Sequence, residues 1–174
     1  MLMKLFFKSF IFFFILSGLS HSNENIRFID VNFIVNNSNV GKSLSIIIDN
    51  KNDKIKSELK QLRKKLDIKK EKILSQKNVL KKEEFSELAK KYDDEAKDFN
   101  QIRKKKMNDF NNFQINSQKK ILKLLNPLII DYLKKQSIQI LLQKDKIIFG
   151  DDNLDITEEI LDIFNKKHNK IKFE

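Results

Sequence analysis

The 174-residue sequence has no cysteine, one proline (Pro127) and three glycines, Gly18, Gly41 and Gly150. Each shortage removes a class of chemistry. Without cysteine there is no disulfide, no thiolate nucleophile and no thiolate zinc ligand. Only Gly41 and Gly150 lie beyond the first twenty-two residues, so no glycine-rich phosphate loop is available to drive a nucleotide cycle. Histidine is scarce too: His21 and His168 are the only two, and neither has the neighbours for a metal site or a nucleophile–base pair. Asp151, Asp152, Asn153 and Asp155 lie close together but lack the ligand spacing and terminal glutamate of an EF-hand loop. Asp155, three residues before Glu158, reads instead as a capping-box helix start. No catalytic residue, cofactor site or metal site is expected, and the chain does not read as an enzyme.

The front end carries the order of a secretory signal peptide over residues 1–22. Lys4 and Lys8 precede the apolar run Phe10–Leu16, and the small residues Ser17, Gly18, Ser20 and Ser22 follow it. The run is shorter than the roughly 20 residues that span a bilayer, which favours cleavage over a retained anchor. No cysteine follows it to take a lipid. The expected product is a periplasmic chain. Removing Lys4 and Lys8 lowers the net charge from +11 to +9. Residues 51–106 hold twenty Lys/Arg against eleven Asp/Glu, a surplus of +9, while residues 23–50 come to −1 and residues 107–174 to +1. The excess thus lies on one segment, which should attract anionic partners by salt-sensitive steering. A lysine-rich face also serves plain solvation, and the general abundance of Lys, Ile, Asn and Phe fits a base-composition bias.

Residues 43–136 form one long amphipathic stretch with no glycine in it. Apolar residues recur at spacings of three and four, which predicts helix. A first helix is expected from Ser43 to Ser75, through Leu44, Ile48, Ile55, Leu59, Leu62, Leu66 and Ile73. At ~1.5 Å per residue it would be about 50 Å long. A tip is expected over residues 75–82, and a returning helix from Glu83 to Gln136. Leu88, Phe99, Phe110, Ile121 and Tyr132 lie eleven residues apart, and Ile102, Phe113 and Leu124 repeat that step three residues later. This corresponds to ~3.67 residues per turn and favours a straight or slightly right-handed pairing. Lys69 and Lys106 sit near seam positions, which predicts loose packing along the arms. Pro127 is expected to bend the returning helix.

The ends of the chain read as a small body. Ile26–Val31 alternates as a strand, with a short helix at Asn32–Asn36 and a break over Asn36–Asn39. Ser137–Leu142 and Lys146–Phe149 read as two strands about a turn at Gln143–Asp145, and the capped helix runs on through Ile156, Ile160, Leu161 and Phe164. The division is signal peptide 1–22, first strand and short helix 23–42, helical hairpin 43–136, and body strands with a C-terminal helix 137–174. The fold class is mostly α with a small β body. A single hairpin buries little core for its length, so subunits should pack together.

Ile29-Asp30-Val31 with Gly41-Lys42 beyond it, the basic hairpin, and Ile138–Leu142, Ile147–Phe149 and Asp155-Ile156-Thr157 occur in an order that resembles the Skp/OmpH family of periplasmic chaperones. The resemblance covers about residues 24–166. It implies a jellyfish-shaped homotrimer with three helical tentacles hanging from an intersubunit β body. It further implies an ATP-independent holdase that keeps unfolded outer-membrane proteins soluble in the cavity between the arms. The heavy Lys/Asn/Ile content, the Phe-rich returning helix and Pro127 depart from common members.

Physical chemistry supplies candidate contacts for such a role. Arg63, Lys64 and Lys65, with Arg103, Lys104, Lys105 and Lys106, are candidates for anionic contacts with acidic client segments, lipopolysaccharide or anionic lipid. Phe99, Met107, Phe110 and Phe113 are candidates for apolar client contact, against the plainer reading that they pack the hairpin seam. A nucleic-acid-binding coiled coil lacks a recognised module, and export removes it from nucleic acid as a physiological ligand. A structural or adhesion coiled coil of the cell envelope is the remaining alternative.

Overall fold

The computed structural model describes residues 25–173. The residues read as a signal peptide lie outside the described span. Strand β1 (Ile26–Ile29) leads into helix α1 (Val31–Asn37). Asp30 ends the strand because its carboxylate accepts from the Phe33 N–H at 2.8 Å and caps α1. Ser38 ends α1 and starts the next helix, its hydroxyl accepting from the Gly41 N–H at 3.1 Å. Helix α2 therefore begins at Asn39 and runs to Ser75, four residues earlier than apolar spacing alone predicts. Gly41 permits this tight junction: a Cβ there would lie 1.8 Å from the Val35 carbonyl oxygen.

Helix α3 (Lys82–Lys135) returns antiparallel to α2 after a turn at Gln76–Lys81. The two helices have 37 and 54 residues, hence lengths of about 55 and 80 Å at ~1.5 Å per residue. Pro127 lies within α3 at an exposed position, and the helix continues through it, although the Lys123 carbonyl loses its usual donor. The C-terminus of α3 closes in a Schellman arrangement: the Ile138 N–H reaches the Leu133 carbonyl at 2.9 Å and the Ser137 N–H reaches that of Lys134 at 3.3 Å. Ser137 adopts the left-handed conformation this requires, with φ of 54°.

Strand β2 (Ile140–Gln143) pairs in parallel with β1, in the register Ile26↔Ile140 to Ile29↔Gln143. A parallel pair needs a long crossover. Here the entire hairpin is that crossover, so the arms must return to their origin. The second C-terminal strand expected over Lys146–Phe149 does not form. Lys144–Lys146 is a 3-10 turn, and Ile148 and Phe149 stand fully exposed. Alternation alone makes no strand: a ladder partner is needed, and among the described residues 147–149 has none.

A second 3-10 turn (Asp152–Leu154) leads to helix α4 (Thr157–Lys167). The core gathers Ile29, Ile34, Val40 and Leu44 from the first part of the chain with Ile121, Leu125, Ile160 and Phe164 from the last. Asp155 does not form the expected box with Glu158. Its carboxylate accepts from the Thr157 N–H at 2.9 Å, from the Thr157 hydroxyl, and from Lys144 Nζ at 2.6 Å.

Candidate functional site: the hairpin arms

The arms are built on a seam of mixed character. The eleven-residue series on α3 faces inward along its length: Phe110 and Ile121 are buried, and Leu88, Phe99 and Tyr132 are half-buried. On α3 full burial concentrates towards the body, whereas α2 is fully buried both at its root and near the tip. Of the α2 series, Leu44, Leu66 and Ile73 are buried, while Ile48, Ile55, Leu59 and Leu62 are half-buried.

Both seam lysines meet glutamates on the opposite helix. Lys69 pairs with Glu95, and Lys106 Nζ lies 2.6 Å from Glu58 Oε2. The residue numbers of each pair sum to 164, so both fall in one antiparallel register. The Lys106 hydrogen bond, then its charge, holds the Glu58 carboxyl below the usual carboxylate range, with Lys54 adding to the effect. Where these pairs replace apolar contacts, the seam opens into grooves. One of about 210 Å³ is lined by Leu62, Lys65, Leu66, Glu95, Asp98, Phe99 and Ile102. Another, of about 280 Å³, lies beside the Lys106–Glu58 pair and reaches Ile55 and Phe110.

The candidate residues divide by position. Phe110 is in the seam, and Phe113 packs against the body core with Lys51 Nζ 4.6 Å above its ring. Phe99 lines the first groove, half-buried. Met107 is 42% exposed. Apolar side chains off the repeat are also exposed, Ile68 and Ile115 among them, as is Ile102 from the second series. Their departure from the inward stripe was the available signal for Ile68 and Ile115. Among the cations, Lys64, Lys65, Arg103, Lys104 and Lys105 are exposed. Arg63 is exposed but bonded to Asp67 at 3.0 Å, and Lys106 is taken up by Glu58. The two clusters lie within a few turns of each other, because Lys106 faces Glu58 only five residues before Arg63.

Acidic residues after β2 are engaged locally. Asp151 accepts from the Asn153 N–H, and Asp155 serves Lys144 and Thr157. Among the described residues no cluster of three or more His, Cys, Asp or Glu is placed to hold a metal ion. No described helix is long and apolar enough to cross a membrane.

A profile of the OmpH-like outer membrane protein family matches residues 25–164. The chain belongs to this family. The crystal structure of an OmpH-like outer membrane chaperone from Caulobacter crescentus CB15 superposes with a TM-score of 0.80 over 86% of this chain and 89% of that one. The two are 15% identical in sequence, so this likeness is one of fold. No curated protein sequence matches the chain. The OmpH-like match joins two distant stretches that the structure ties together. The Asp30 N–H donates to the Thr157 hydroxyl at 2.8 Å, and the Ile156 N–H to the Phe28 carbonyl at 3.0 Å. Ile29-Asp30-Val31 and Asp155-Ile156-Thr157 are two halves of one joint that fixes the arm's root.

Proposed function

We propose that this OmpH-like protein is an ATP-independent periplasmic holdase, exported by a cleaved signal peptide, that keeps unfolded outer-membrane proteins soluble between its arms. The observation that carries this reading is the composition of one stretch of α3: Ile102, Met107 and Ile115 are exposed on the same helix as the exposed cations Arg103, Lys104 and Lys105. Cations capture a chain from a distance, and weak apolar contacts hold it with an avidity that can be released. Arg63, Lys64 and Lys65 extend the cationic surface and suit acidic client segments, lipopolysaccharide or anionic lipid. Phe99 and Met107 suit apolar client contact, whereas Phe110 and Phe113 act there only if the seam opens.

The working unit in this reading is a homotrimer, the number that family resemblance implies. Exposed Ile148 and Phe149, with a two-stranded sheet too small to be stable alone, support association of copies through the body. The test is light scattering of residues 23–174, alone and with a urea-denatured outer-membrane barrel diluted into it. A trimer that keeps the barrel soluble without nucleotide is the expected result. A monomer or filament that leaves the barrel aggregating refutes the reading.

A further inference from the structure

Residues 165–173 lie beyond the span that matches the family. They nevertheless fasten the end of the chain across the root of the arm. Asn165 Oδ1 accepts from the Asn39 backbone N–H at 2.8 Å, and Asn169 Oδ1 accepts from Asn39 Nδ2 at 3.0 Å. Lys120 Nζ on α3 donates to the Lys172 carbonyl at 2.8 Å. Past the end of α4 the chain leaves the helix, and its exposure alternates: Lys170 and Lys172 face solvent, while Ile171 and Phe173 are half-buried against the body core. A period of two is the signature of an extended segment laid along an apolar surface.

We propose that the root of the arm is a docking groove for extended polypeptide with apolar side chains at alternate positions, and that residues 168–173 occupy it in cis as a strap. The polar contacts that hold the strap all lie at exposed positions, and none of its side chains is fully buried: Ile171 and Phe173 are half-buried, as is His168 against the Phe164 ring. Such a segment opens at low free-energy cost. What it uncovers is core-facing apolar surface beside Lys120, already shaped to an Ile-x-Phe pattern. An unfolded barrel strand alternates apolar and polar residues in the same way. The strap therefore stands in for a client strand and yields to one. The identity of that occupant rests on the holdase reading; the groove does not.

The test uses a fluorescein-labelled peptide of residues 166–173 and its anisotropy against three proteins: the mature chain 23–174, the same chain carrying Ile171→Ser with Phe173→Ser, and the mature chain ending at His168. A groove occupied nine-tenths of the time weakens an outside ligand about tenfold. Both altered proteins should therefore bind the peptide about tenfold more tightly than the mature chain, and a peptide with serine at both apolar positions should not bind. Equal binding to all three proteins, absence of binding to either altered protein, or equal binding of the serine peptide overturns the proposal. Light scattering with the denatured barrel on the same samples separates the two ideas. Barrel kept soluble without peptide binding removes the groove and leaves the holdase; peptide binding with an aggregating barrel does the reverse.

Discussion

Replacing Thr157 with valine removes one hydroxyl at nearly constant volume, and that hydroxyl serves both ends of the chain. It accepts from the Asp30 N–H at 2.8 Å and donates to the Asp155 carboxylate, at a side chain only 5% exposed. Valine leaves the Asp30 N–H without its acceptor, which costs about 1–3 kcal/mol, and deprives Asp155 of a charge-assisted bond of comparable size. Asp155 keeps Lys144 and the Thr157 N–H, so part of the second loss is recovered. We expect a net loss of about 2–4 kcal/mol in urea unfolding at fixed protein concentration. Thr157→Ser keeps the hydroxyl and should cost under about 1 kcal/mol, the scale of a lost methyl group. The joint also carries a pH signature. Burial is the largest single influence on the Asp155 carboxyl and pushes it up, but the Lys144 and Thr157 hydrogen bonds together bring it below its ordinary value. Its contribution is therefore present above the ordinary carboxylate range and is lost as pH falls through the lowered value. The Asp155 hydrogen bond, then its charge, raises Lys144, whose contribution is lost as pH rises through that raised value. Thr157→Val should flatten the acid limb of the stability curve. Equal stability of the valine protein and the parent, or equal damage from serine and valine, would refute this account.

Gly41→Ala should destabilise the α1–α2 junction by about 1–3 kcal/mol, since its Cβ meets a backbone carbonyl at 1.8 Å; thermal unfolding by circular dichroism reads this directly. Ser137→Gly relieves a left-handed serine and should stabilise by up to about 1 kcal/mol, with an unchanged or lower urea midpoint counting against the Schellman account. Glu58→Gln should lower the urea midpoint only slightly because both partners are partly exposed, and the loss should vanish in high salt. Neutralising Arg63, Lys64, Lys65, Arg103, Lys104 and Lys105 should slow capture of a denatured barrel at low salt while leaving helicity intact. Capture rates that ignore both salt and these substitutions would remove the electrostatic part of the holdase reading.

The elements legible in the sequence are those whose partners are close or whose pattern is long. The eleven-residue series found the inward face of α3 because a helix of 54 residues repeats its signal many times. Lys69 and Lys106 were visible as breaks in the seam, but their glutamates were not, since Glu58 and Glu95 are assigned only once the register is fixed. The start of α2 was missed because two local devices, the Ser38 cap and the Gly41 close approach, override a polar run that otherwise reads as loop. The strand expected over Lys146–Phe149 failed for the opposite reason. Its alternation is real, and Phe149 points to solvent because no described strand lies beside it. The capping box expected at Asp155 does not form: the N-cap is Ile156, and the Asp155 carboxylate, one residue earlier, takes the Thr157 N–H and Lys144, eleven positions back, with no reciprocal bond from Glu158.

Burial and polarity divide this chain into a part that must stay shut and a part that need not. In the body, Ile29, Ile34, Val40, Ile121, Leu125, Ile160 and Phe164 are all essentially inaccessible, and no described side-chain polar atom is left buried without a partner. Along the arms the seam intersperses buried and half-buried apolar side chains with partly exposed ion pairs, which specify register while contributing little stability. In the holdase reading proposed above, the two helices would separate locally, beside Glu58 or Glu95, without losing the joint at Asp30 and Thr157 that holds them at their root. A fully apolar seam would forbid such opening, and a fully polar one would not keep the register. The observed mixture is what an arm needs if it is to yield to another chain and then close on itself again.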